Sequence, residues 1–119
     1  MAQGAAIVAA VDHLVATLAG AGLRVTTESS TVAPPGVWVQ ARTVEVETLD
    51  ESSRLRVYVY LIASESGGRT ALVALGELLD KALTVIDPDE PTELNHSVAL
   101  PDSAPLPAYR LVVDLFIEP

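Results

Sequence analysis

Apolar residues recur along the first part of the chain at helical spacing: Ile7, Val8, Val11, Leu14, Val15 and Leu18, with Asp12, His13 and Thr17 on other faces. This pattern predicts an amphipathic helix from Gln3 to Ala19, ended by Gly20 and Gly22, because glycine tolerates the left-handed backbone of a helix C-terminus. A short strand, Leu23 to Thr27, follows. Glu28 to Gly36 reads as a loop closed by Pro34-Pro35-Gly36. The period then changes from helical to two, giving strands over Val37–Glu47 and Arg54–Ser64 joined by a polar tip at Thr48–Ser53. A second helix is predicted over Arg69–Ile86, with Leu72, Leu75, Leu79, Leu83 and Ile86 as its buried stripe, widened by Leu78 and Ala82. Asp87-Pro88-Asp89-Glu90-Pro91 stops it. Glu93–Leu100 reads as a strand with Leu94, Val98 and Leu100 inward, Pro101–Pro107 as a loop, and Tyr109–Ile117 as the last strand.

The hairpin carries a conflict of parity. Val44 and Val46 point one way, whereas Val37, Val39 and Ala41 fall on the opposite set of positions. A strict alternation cannot bury both groups on one face, so an extra residue, a β-bulge near Arg42-Thr43, is expected. The register that follows sets Glu47 against Arg54, Glu45 against Arg56, Val46 against Leu55 and Val44 against Val57. Before the bulge it sets Val39 against Leu61.

The resulting order, α-β-β-β-α-β-β, predicts an α+β fold: a mostly antiparallel sheet with two helices packed on one face. At 119 residues the chain has the length of one domain, spanning 1–119, and can bury a core without staples. The face away from the helices is then expected to carry Trp38, Tyr58, Tyr60, Ile62, Val112 and Phe116. That set is too apolar for a freely solvated surface and marks a subunit contact; a loop folding over it, Glu28–Gly36 or Pro101–Pro107, is the alternative.

Composition narrows the chemistry. There is no cysteine, which removes disulfides and thiolate sites, and seven basic residues against sixteen acidic ones leave a net charge of −9. Direct binding to a phosphate backbone needs a basic surface that this chain lacks. The stretch before Ala19 has no basic lead, and Asp12 and His13 break its apolar run, so neither a signal peptide nor a membrane span is expected. Gly20-Ala21-Gly22 follows a helix instead of preceding one, which is wrong for a dinucleotide loop. Asp87-x-Asp89 opens like a calcium loop, but its sixth position is Thr92 and its twelfth Val98. His13 reads as the flank of a helix and His96 as a strand histidine, and neither sits in a recognisable triad. No catalytic, metal or cofactor residue is expected, and the chain is read as a non-enzyme whose function lies in its contacts.

The layout as a whole resembles a known family. The leading helix, the segment Pro34-Pro35-Gly36-Val37-Trp38-Val39, the strand Leu55-Arg-Val-Tyr-Val-Tyr-Leu, the Gly67-Gly68 break with its aliphatic helix, and the closing Tyr109-Arg-Leu-Val-Val-Asp-Leu are similar to the tail terminator (tail completion) proteins of long-tailed bacteriophages. The resemblance covers nearly the whole chain and is one of element order, with no invariant motif. It implies a virion protein, assembled in the host cytoplasm, that forms a homo-oligomeric ring, commonly a hexamer, at the head-proximal end of the tail. Such a ring caps the tail tube protein, stops its polymerisation and offers a surface to a head-completion or neck protein, while DNA passes through the lumen without specific binding. On this reading Asp50 and Glu51 project on an axial or lumenal acidic loop that repels DNA. Two alternatives remain open: a head-closure or neck connector protein of the same virion, and a ligand-binding regulatory α+β module, whose β-α-β-β-α-β order this chain does not follow.

Overall fold

A computed structural model describes residues 3–46, 53–64, 68–101 and 104–117. The elements are α1 (Gln3–Gly20), β1 (Val25–Thr26), β2 (Gly36–Val46), β3 (Ser53–Ile62), α2 (Gly68–Leu83), β4 (Glu93–Val98) and β5 (Leu106–Ile117). They form one five-stranded sheet in the order β1-β2-β3-β5-β4. All neighbours are antiparallel except β1, which runs parallel to β2. The α+β class, the element order and the mostly antiparallel sheet are those read from the sequence. No helix among the described residues is long and apolar enough to cross a membrane.

Both helices lie on one face. Val11, Leu14 and Leu18 of α1 and Ala71, Leu75 and Ala82 of α2 share a core with Val37, Val39, Leu55, Val57, Val59, Leu61, Leu111 and Val113 of the sheet. The stripe of α2 is rotated from the predicted one, and Leu72 stands 57% exposed while Ala71 and Ala82 are buried. Small residues at those two positions let the helix axis approach the sheet, whereas a leucine-centred stripe holds it further off. Likewise Val8 of α1 points to solvent.

The bulge is present, with the register shifting between Ala41 and Thr43. The register itself is two residues away from the predicted one. Glu45 faces Arg54, Val44 faces Leu55, Thr43 faces Arg56, and Val39 faces Val59; Glu47 lies outside the described residues. A two-residue slip returns every side chain to the same face, so hydrophobic alternation cannot distinguish the two arrangements. The third strand decides between them: Arg56 is matched across the other ladder by Asp114 of β5, leaving Glu45 for Arg54.

β4 also departs from expectation. Its ladder with β5 shifts between Glu93 and His96, and Leu94 is turned out to 59% exposure. At the start of β2, Gly36 is fixed by sterics: a Cβ there would lie 2.7 Å from the carbonyl oxygen of Ala33. The adjoining Val37 N–H donates to the Arg24 carbonyl and so docks the β1 segment against β2.

Candidate contact surface

The face of the sheet away from the helices divides into two parts. Near β4 it holds a second apolar cluster, Tyr60, Ile62, Val98 and Ala108, packed by Val32 from the 27–35 connection, by Leu100 from the segment after β4 and by Leu106 at the start of β5. Chain segments of the same subunit therefore cover this part, as the loop alternative supposed. Ile62 is fully buried, and Val112 and Tyr60 are nearly so. Trp38 and Tyr58 are half-buried, and Phe116 at the far end is 73% exposed. Of the six residues expected at a contact, Trp38, Tyr58 and Phe116 keep surface that a partner can reach. Asp50 and Glu51 lie outside the described residues.

The aromatic residues are ordered by one another. Trp38 stacks on Tyr60 with ring centres 5.1 Å apart, and its indole N–H donates to the Thr27 carbonyl at 3.3 Å. Tyr58 meets Tyr60 edge-on at 6.2 Å, and the His96 ring lies 5.5 Å from Tyr60. Two guanidiniums approach Tyr58: Arg110 at 4.3 Å from the ring centre and Arg42, in the bulge, at 5.8 Å. Arg110 also donates to Glu93 at 2.6 Å, while its Nε is buried with no hydrogen-bond partner among the described residues. The electron-rich face of Tyr58 is its electrostatic counterpart.

Beyond Tyr58 the face turns ionic. Arg56 binds Asp114 in a two-pronged contact, Nε to Oδ1 at 2.9 Å and a second N–H to Oδ2 at 3.1 Å, and also reaches Glu90 at 2.7 Å. This hydrogen bonding holds the Asp114 carboxyl below its ordinary range, against the opposing effect of burial, and raises Arg56. Arg54 is raised by its 2.9 Å hydrogen bond to Glu45. Asp89, which the sequence presents as part of a helix stop, has a second task. Its backbone N–H donates to the Val112 carbonyl, and its Oδ2 accepts from the Asp114 N–H, so it lies along the edge of β5.

The two histidines are far apart in role. His96 Nδ1 is 3.3 Å from Glu93 on the outer face. His13 lines a groove of about 250 Å³ with Leu14, Thr17, Val85, Ile86, Asp87, Val113 and Leu115 on the helix side. Among the described residues no group of three or more histidines and carboxylates is placed to hold a metal ion.

No family model, curated protein or solved structure matches the chain. The functional reading therefore rests on the residues themselves. Sequence reasoning found the aromatic row by parity, since Trp38, Tyr58 and Tyr60 share one face. It missed the part played by Arg42, Asp89 and Arg110. The available signal was alternation on the last strand, where Arg110, Val112, Asp114 and Phe116 fall on the same face as Arg54, Arg56 and Tyr58.

Proposed function

We propose that this chain is a tail terminator subunit, a structural virion protein that forms a ring on the end of a phage tail tube, ends tube growth and presents a surface for head joining. The observation that carries the reading is the one-sided layering. Both helices close one face of the sheet, and the opposite face presents aromatic, ion-paired and partly exposed side chains suited to contact with other protein. The element order agrees with the resemblance described above. A net charge of −9 suits a channel wall past which DNA must slide without adhering. The partners are further copies of the chain, the tube protein and a neck protein.

Electron micrographs of tails assembled with and without the protein test this directly. Tubes of uncontrolled length in its absence, restored to uniform length on adding it back, are the expected result. Tubes of normal length in its absence would refute the terminator role, and binding to the portal side alone would transfer the chain to the neck.

A further inference from the structure

The two open edges of the sheet present opposite charges at one height, Arg42 on β2 and Asp89 with Glu90 beside β5. Glu45, the other charge on the open stretch of β2, is paired to Arg54. On one side β1 pairs with β2 only at Val37 and Trp38, so β2 from Val39 to Val46 has no strand beside it among the described residues. Arg42 stands in the bulge on this open edge, exposed and without an ion pair among the described residues. On the other side the edge of β5 is lined by Asp89, and the neighbouring Glu90 is exposed while it pairs with Arg56 at 2.7 Å. The height match follows from the ladders. Across β3, Ala41 and Thr43 of β2 face Val57 and Arg56, and Val113 and Asp114 of β5 face the same two residues. Arg42 and the Asp89–Glu90–Asp114 carboxylates thus occupy opposite ends of one cross-sheet row.

An open strand edge is a template for another chain, and stable folds usually shorten, charge or cover it. Here β1 covers two residues of an eleven-residue strand. In a chain of net charge −9, self-association is opposed almost everywhere. The exception is where a cationic edge can meet an anionic one. Head-to-tail contacts use two different patches on each copy, and they close without rise only when those patches lie at equal height along the axis.

We propose that copies of this chain associate head to tail through these edges, the Arg42 edge of β2 in one copy meeting the Asp89–Glu90 edge of the next, with the assembly axis along the strands. Closure into a ring rests on the terminator reading; the edge contact does not.

The test uses the full chain and three charge variants, Arg42→Glu, Glu90→Arg and the two combined. Native mass spectrometry and sedimentation velocity measure association at low and high salt, with circular dichroism and thermal melting confirming the subunit fold. Each single reversal is expected to weaken association at least about tenfold, since like charges then face each other. The double variant, and an equimolar mixture of the two single variants, are expected to recover it. Amide exchange supplies an independent readout: amides within residues 39–45 should gain protection when wild-type copies associate. Wild-type protein that stays monomeric at every concentration, or single reversals that leave the masses unchanged, would overturn the edge contact. A ring that survives Arg42→Glu would overturn it too while sparing the ring reading. Open chains or dimers that Arg42→Glu disrupts would support the edge contact and remove the ring.

Discussion

Ile62 and Phe116 lie on the same face of the sheet, yet truncating the first should cost much stability and truncating the second almost none. Ile62 is fully buried in the cluster that Val32, Leu100 and Leu106 of its own subunit pack against, whereas Phe116 is 73% exposed. Ile62→Ala removes three carbons, worth about 2.4 kcal/mol at roughly 0.8 kcal/mol per buried methylene, and a residual void of about 40 Å³ adds roughly 1 kcal/mol. The sum, about 3 kcal/mol, is a large share of the ~5–15 kcal/mol that stabilises an ordinary domain. With a urea slope of ~1.5 kcal/mol/M, the unfolding midpoint should fall by about 2 M. Phe116→Ala should change the stability by less than ~0.5 kcal/mol. Both are read by urea unfolding at concentrations where the subunit is monomeric. A loss below ~1 kcal/mol for Ile62→Ala would mean that the two connections do not close over the face, and the reasoning about a covered and an uncovered half would fail.

Three further outcomes follow from particular contacts. Gly36→Ala places a Cβ against the Ala33 carbonyl oxygen and should cost about 1–3 kcal/mol, seen as a lowered melting temperature; an unchanged melt would deny the close approach. Asp114 is held below the usual carboxylate range when folded, so its contribution is complete above pH ~4, the unfolded value, and is lost as pH falls through the folded one. Asp114→Asn should therefore flatten the loss of stability on acidification below pH ~4, and equal slopes for variant and wild type would exclude the effect. Asp89→Ala removes the acceptor of the Asp114 N–H and should cost about 1.5 kcal/mol, with faster hydrogen exchange at that amide; unaltered exchange would show the cap to be idle.

Features set by local sequence were legible before any coordinates. The parity conflict between Ala41 and Val44 can be resolved only by an extra residue, so the bulge was found. The glycines after α1 and the prolines after α2 ended their helices close to where they do end, α2 stopping at Leu83, three residues short of the predicted Ile86. What escaped was decided between distant residues. Glu45 satisfies Arg54 as well as Arg56, and only Asp114, nearly sixty residues away from Arg56, settles the choice. Leu72 and Ala71 lie about 100° apart around the helix, so only one of them can face the sheet, and the close approach selects the alanine. Of the contact surface, parity supplied the aromatic row, whereas its cover stayed one of two alternatives, because Val32 and Leu100 lie outside the strands, where no periodicity fixes a side chain's direction.

The place of β5 in the sheet has a consequence for how the chain is made. It follows β4 in the chain, yet it lies between β3 and β4 and gives the core Tyr109, Leu111, Val113 and Ile117. Over 18 residues α1 has neither an acidic first turn nor a basic last turn to offset its dipole, so its stability leans on packing its apolar face against the sheet. At ~5–20 residues per second, the roughly forty residues between β3 and β5 take about 2–9 s to add. Through that interval β3 has one of its two neighbours, and Leu18, Val57 and Leu61 lack the strand that completes their cover. A chaperone or a second nascent copy has those seconds in which to bind the unfinished edge.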